Sequence, residues 1–179
     1  MKEVEVKIIE IDRGRVQAKL ESLGASKTFE GDVETVFFDF PGNPIVGADN
    51  LLRLRKKGDK TELTFKKFIA DESAKVRDEY EVLVSDFGTM YFILESIGLV
   101  AIQRMKKHRI SYALKGGVGV DLDRYTGEFS HIPDLMELEA SDTTALHSHL
   151  KQLGFKPEDG KSWTTFDLVN YYSEKRVKT

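Results

Sequence analysis

Charged residues recur at every second position in segment after segment of this chain, beginning with Glu3-Val4-Glu5-Val6-Lys7. Side chains alternate faces along a β-strand, so Glu3, Glu5 and Lys7 share one face while Val4, Val6 and Ile8 share the other. The alternation returns in Leu52-Arg53-Leu54-Arg55, Glu62-Leu63-Thr64-Phe65-Lys66, Glu79-Tyr80-Glu81-Val82, Lys107-His108-Arg109, Asp121-Leu122-Asp123 and Glu137-Leu138-Glu139. Taken singly, each segment reads as a sheet face turned to water and laced with cross-strand ion pairs. Taken together they do not, because the apolar faces would then have to pack inward against too little else. Several strands with same-face charges of both signs predict one lined cavity.

The rest of the pattern supplies an antiparallel frame. Strand-like residues 2–10 lead to Asp12 as a helix N-cap, Val16, Leu20 and Leu23 at helical spacing, and Gly24 as a stop. Residues 27–40 read as a strand stopped by Pro41-Gly42-Asn43-Pro44, and residues 51–57 and 61–69 as a hairpin turning through Gly58-Asp59-Lys60. Residues 76–84 give the next strand, and a second helix starts at Ser85 or Asp86 and runs through Met90, Phe92, Ile93, Leu94 and Ile97 to Gly98. Strands near 100–114 and 118–124 flank Gly116-Gly117, a third helix follows Asp142 and ends at Gly154, and residues 162–173 form a closing helix or turn with Trp163, Phe166 and Leu168 packed inward. Strand follows strand without a crossover helix, which makes the sheet antiparallel. Val4, Leu54, Phe65, Tyr80 and Val82 then face outer helices. Lys56, Lys57, Lys67 and Lys106 fall off the inward period or at strand ends and are read as surface lysines.

At 179 residues the chain suits one domain, residues 1–179. Its net charge of −3 offers no global basic field for nucleic acid. With no cysteine, disulfides, thiolate nucleophiles and cysteine-ligated zinc are excluded. No apolar run is long enough to span a bilayer, and the opening residues lack signal-peptide order, so no membrane partner and a cytoplasmic location are expected. His147 and His149, two apart on a helix, point to different sides and make no metal pair. Gly116-Gly117-Val118-Gly119 lacks the lysine and hydroxyl residue of a phosphate loop and reads as a hairpin turn.

Sorted by sign, the inward candidates are Lys7, Arg53, Arg55, Lys66, Lys107 and Arg109 against Glu3, Glu5, Glu79, Glu81, Asp121, Asp123, Glu137 and Glu139. Unpaired buried charges are costly, so such an interior must be wet, cross-paired or filled by an ion-rich ligand. A polyphosphate with divalent cations satisfies both signs. Arginine offers forked donors to phosphate oxygens, lysine a compact charge, and paired carboxylates the hard oxygen ligands that magnesium or manganese prefers.

In this order, and over nearly the whole chain, the Glu-x-Glu-x-Lys opening, Arg53-x-Arg55, Lys66, Glu79-x-Glu81, Lys107-x-Arg109, the Asp121/Asp123 strand and Glu137-x-Glu139 resemble the CYTH superfamily of triphosphate tunnel metalloenzymes. The resemblance implies an α+β fold, a closed antiparallel β-barrel or tunnel of about eight strands with helices packed outside. It implies that Lys7, Arg53, Arg55, Lys66, Lys107 and Arg109 hold phosphate oxygens. Lys161 joins them, because Lys161-Ser162-Trp163 resembles a late Lys-Ser-Tyr element with tryptophan in place of tyrosine. Metal, Mg2+ or Mn2+, would be held directly or through water by Glu3, Glu5, Glu137 and Glu139. Asp123, which precedes Arg124-Tyr125-Thr126-Gly127, resembles the family aspartate better than Asp121 does. Either Glu79 or Glu81, or a second metal, would orient the attacking water, with Lys7 as a further catalytic candidate.

The function implied is metal-dependent hydrolysis of inorganic triphosphate, thiamine triphosphate or a nucleoside triphosphate, by a monomer or homodimer whose partner is a small triphosphate or nucleotide. One alternative is a class IV-like adenylyl cyclase, against which stands the lack of a His-Phe element ahead of Glu3. The other is a non-catalytic polyphosphate or nucleotide-binding module, for which so many carboxylates would be needless.

Overall fold

The computed structural model describes residues 4–69 and 76–177. The elements run β1 (Val4–Ile8), α1 (Arg13–Ser22), β2 (Ser26–Asp39), α2 (Pro44–Gly47), β3 (Leu51–Lys57), β4 (Lys60–Ile69), β5 (Val76–Val84), α3 (Phe87–Ser96), β6 (Val100–Leu114), β7 (Val118–Thr126), β8 (Leu135–Ala140), α4 (Thr143–Leu153) and α5 (Thr165–Val177). The eight strands form a sheet in the order β1-β8-β7-β6-β2-β3-β4-β5. Strand pairs β1/β8, β7/β8, β2/β3, β3/β4 and β4/β5 are antiparallel, as the sequence predicts. The chain divides into two compact units, a central one of residues 32–106 and a terminal one made from the segments up to Gly31 and from Lys107 onward. No helix among the described residues is long and apolar enough to cross a membrane.

In the terminal unit, register sorts the two faces. Val6 pairs with Leu138 and Ile8 with Met136 across β1/β8, while Val120 and Leu122 of β7 pair with the same two residues from the other side. These apolar rows bury against Val16 and Leu20 of α1 and Leu146, Leu150 and Leu153 of α4. Local chemistry fixes where those helices begin and end. The Asp12 carboxylate accepts from the Arg15 amide at 3.0 Å, and that of Asp142 from the Ala145 amide at 2.8 Å. Gly154 ends α4 at φ 88°, a left-handed conformation that glycine adopts without a Cβ clash. Ahead of α5, the Thr164 amide and hydroxyl both donate to the Asp167 carboxylate, and the Asp167 amide returns a bond to the threonine hydroxyl. Leu168 of that helix is buried and Trp163 and Phe166 are half-buried. The Tyr172 hydroxyl donates to Glu10 at 2.9 Å.

In the central unit, Val36 pairs with Leu54, and Leu54 with Leu63, on the face that α3 covers through Leu94. Asp86, rather than Ser85, caps α3, accepting from the Thr89 amide at 2.7 Å.

Three expectations change. The Pro41–Pro44 stop leads into the short helix α2 because the buried Asp39 carboxylate gathers the amides of Phe40, Ile45 and Val46 at 2.7, 2.9 and 2.8 Å. Tyr80 and Val82 are 59% and 57% exposed instead of covered by a helix, because the cluster under α3 takes in β5 only at Val84. Lys57 is half-buried and lies in phase with Arg53 and Arg55, so it belongs with the charged face and not with the surface lysines.

Candidate functional site

Each unit presents one sheet face of mixed charge. In the terminal unit, antiparallel pairing sets Glu5 opposite Glu139 and Lys7 opposite Glu137, and on the other side of β8 it sets Gly119 opposite Glu139 and Asp121 opposite Glu137. Directly paired residues share a face, so Glu5, Lys7, Asp121, Glu137 and Glu139 gather on one surface, and Asp123 joins them two residues along β7. The outer edge of β1 is joined by a single bridge in which the Lys7 and Lys161 backbones exchange hydrogen bonds of 2.9 and 2.8 Å. That bridge brings Lys161, half-buried, onto the same face.

Cations and carboxylates interlock here. Lys7 is 4% exposed, with its ammonium bonded to Glu5 and 3.3 Å from Glu137. Burial would lower its pKa, but Glu137 and Glu5 outweigh that and raise it, so the charge is fixed. Arg109 is buried at the centre. Its Nε donates to Asp123 at 2.6 Å and one terminal nitrogen to both Asp123 and Glu137 at 2.5 Å, while the other contacts Asp121. Burial disfavours that guanidinium, yet Asp123 and Glu137 hold its pKa well above the usual value. Lys107 donates to Asp123 at 2.5 Å and lies 5.5 Å over the Tyr125 ring. Glu137 is also desolvated, and Lys107, Lys7 and Arg109 reverse the effect, holding its carboxyl far below the ordinary glutamate range.

Asp121 and Asp123 thus differ in availability and not in face. Asp123 is wholly buried with both oxygens committed to Arg109 and Lys107. Its carboxylate therefore orients those two cations, and a metal reaches it only by displacing them. The Asp121 side chain remains 25% exposed.

In the central unit the rows run Arg55–Glu62, Arg53–Thr64–Glu81 and Lys66–Glu79. The Arg55 guanidinium donates twice to one Glu62 oxygen, at 2.7 and 3.1 Å, and Lys66 pairs with Glu79. Arg53 donates to the Thr64 hydroxyl at 3.3 Å, and that hydroxyl donates to Glu81 at 3.0 Å. The Arg53 Nε is buried without a hydrogen-bond partner. Burial, then repulsion from Arg55, pushes the Arg53 pKa down to about 10. Glu79 is pulled the other way: burial opposes ionisation, but Lys66 wins and lowers its pKa.

The strands therefore bring Glu5, Lys7, Lys107, Arg109, Asp123, Glu137, Glu139 and Lys161 together in the terminal unit, and Arg53, Arg55, Lys66, Glu79 and Glu81 together in the central one. Glu3 lies outside the described residues. Sequence reasoning passed over Glu62 and Thr64 as site residues, although both are in phase with Lys66 along β4. Among the described residues no three histidine, aspartate or glutamate side chains converge as a ready-made metal cage.

The CYTH domain model matches residues 1–162. A Methanocaldococcus jannaschii protein provisionally named an adenylate cyclase is 26% identical over 141 residues, which is 79% of this chain and 78% of that protein. Among solved structures, a conserved hypothetical protein from Pyrococcus furiosus is 28% identical with a TM-score of 0.72, covering 93% of this chain and 99% of its own. A Hippeastrum protein, provisionally named an adenylyl cyclase and described as having a dominant triphosphatase activity, has the same fold at 16% identity and a TM-score of 0.64, covering 93% of each chain. Mixed-sign faces on an eight-stranded antiparallel sheet, with a family match over residues 1–162, make this chain a member of the CYTH domain family.

Proposed function

We propose that the protein hydrolyses a triphosphate, whether inorganic triphosphate, thiamine triphosphate or a nucleoside triphosphate, with Mg2+ or Mn2+. The observation that carries this reading is the carboxylate pair Glu5 and Glu139, directly opposite in register and both exposed, with the Lys7 ammonium bonded to Glu5. Carboxylates directly opposite one another supply the hard oxygen ligands that a divalent cation prefers. Magnesium takes one or two carboxylates and completes its shell with water and substrate phosphates.

Glu5, Glu137 and Glu139 would hold the metal, together with Glu3, and Asp123 would join them only by giving up its bonds to Arg109 and Lys107. When bound, the metal neutralises phosphate charge and polarises the phosphoryl oxygens. Lys7, Lys107, Arg109 and Lys161 bind phosphate oxygens in the terminal unit, and Arg53, Arg55 and Lys66 do so in the central unit. Arg53 is the best prepared of these, because its buried, unpartnered Nε and lowered pKa leave a guanidinium that an anion would relieve. Glu79, kept ionised by Lys66, or Glu81, fixed by Thr64, orients the attacking water. The water oxygen bonds to the terminal phosphorus, the bridging P–O bond breaks, the shortened phosphate chain leaves, and the water's proton passes to product or solvent.

A cyclase reading draws on the name of the M. jannaschii relative, and the Hippeastrum protein's dominant triphosphatase activity is a reason to test both outcomes. Incubation with inorganic triphosphate and with ATP, each with Mg2+, Mn2+ or chelator, decides. Metal-dependent orthophosphate release is the expected result. Cyclic AMP with pyrophosphate would replace it with the cyclase, and metal-dependent binding without turnover with a binding module.

A further inference from the structure

Among the described residues of the central unit, two buried side-chain atoms lack a hydrogen-bond partner, and they are of opposite kind: the Arg53 Nε can only donate and the Gln103 Oε1 can only accept. The sheet puts both on one face. Strand β2 lies between β6 and β3, and Thr35 and Phe37 of β2 pair directly with Arg55 and Arg53 of β3. Thr35 and Phe37 therefore turn to the side that carries the arginines. On the other side Glu34 of β2 is bonded to Arg104 of β6 and lies 3.9 Å from Lys106. Residues one position along each strand point the opposite way, which brings Gln103 and Met105 to the arginine side, across from Thr35 and its neighbours.

The row so formed is neutral. Val33, Thr35, Phe37 and Met105 are buried and uncharged, beside the cationic row of Arg53 and Arg55. An ionised phosphate chain carries acceptors and no donor, so it can satisfy the Arg53 Nε and leaves the Gln103 oxygen as it was. Nearly all buried polar atoms in folded proteins are paired, and a buried acceptor left alone is costly. Gln103 therefore calls for an N–H or O–H that inorganic triphosphate does not supply.

We propose that Gln103 is a specificity-determining residue, whose carboxamide oxygen accepts a hydrogen bond from the organic group of the substrate while the phosphates take the arginines. The organic group lies along the neutral row of Val33, Thr35 and Phe37. Gln103 thereby narrows the triphosphate reading, on which this role rests, to triphosphate esters of a heterocyclic molecule bearing amine or hydroxyl donors, in preference to inorganic triphosphate.

Calorimetric titration in Mg2+ with two ligands that resist hydrolysis, the β,γ-methylene analogue of ATP and methylene-bridged inorganic triphosphate, tests this role. Wild type should bind the ATP analogue at least about tenfold more tightly than the inorganic one. Gln103→Met keeps the volume and removes the acceptor, so it should weaken the ATP analogue about tenfold and leave the inorganic one within about twofold. Its melting temperature should be no lower than that of wild type, because an unpaired buried acceptor has gone. The purine-riboside counterpart, which lacks the exocyclic amine, locates the donor: weaker binding to wild type assigns it to the amine, and undiminished binding to the ribose. Equal binding of the two ligands by wild type, or equal weakening of both by Gln103→Met, as for an amide that donates to phosphate, would overturn this role and leave the triphosphate reading standing. Binding of neither ligand by wild type would overturn that reading and this role with it.

Discussion

Asp123 is buried between two cations whose charge it offsets, Arg109 and Lys107. Asp123→Asn leaves those charges with less compensation in a desolvated place. Breaking a buried ion pair costs roughly 3–5 kcal/mol, and because Asp121 and Glu137 still contact Arg109, a loss of about 3 kcal/mol is expected in urea unfolding. Glu137 makes a pH prediction. Its folded pKa lies well below the ordinary 4.5, so the folded state takes up its proton less readily than the unfolded chain. The resulting stability is complete above pH 4.5 and is lost as pH falls from there through the folded value. The difference in unfolding free energy between wild type and Glu137→Gln should therefore be largest near neutrality and shrink on acidification. A gap that widens in acid would contradict this. At this scale the sequence reveals parity but not commitment. Period-two spacing sets Glu5, Lys7, Asp123 and Glu137 each on the charged face of its own strand, and carried through β3 and β4 it does the same for Lys57, Glu62 and Thr64 on theirs. Nothing in the spacing says that Asp123 is saturated while Asp121 stays open, because that depends on which cations the neighbouring strand supplies.

At the level of elements, capping residues mark where helices begin and stop. Asp12, Asp86 and Asp142 each accept the amide three residues on, and Gly24 and Gly154 take the left-handed conformation that follows a helix. Gly154→Ala forces a Cβ into that conformation at φ 88° and should cost about 1 kcal/mol, read as a lowered melting temperature. Leu146→Ala empties a fully buried site between α4 and the sheet and should cost about 3 kcal/mol. Helix α2 was hidden because Pro41-Gly42-Asn43-Pro44 carries only turn signals, whereas the cause of the helix is the buried Asp39 carboxylate upstream. Tyr80 and Val82 were misplaced for a related reason. Alternation shows which face a residue takes but not how far the covering helix extends.

Across the whole molecule, the sequence carries the antiparallel class and the mixed-sign sheet faces, since both follow from repeated local alternation. The division into a central and a terminal unit, and the confinement of the exposed large apolar side chains among the described residues to the central one, arise from packing and were not legible. Those charged faces serve phosphate and metal, by the function proposed above, rather than stability alone. The most direct test is the rate of orthophosphate release from inorganic triphosphate across a Mg2+ titration, for wild type and Glu5→Gln, a substitution at an exposed site that should leave the fold intact. Wild type should turn over only with metal, and Glu5→Gln should lose at least about a hundredfold in rate and need more Mg2+ for half-saturation. Turnover by Glu5→Gln at the wild-type rate and Mg2+ requirement, or wild-type turnover undiminished by chelator, would contradict the central claim.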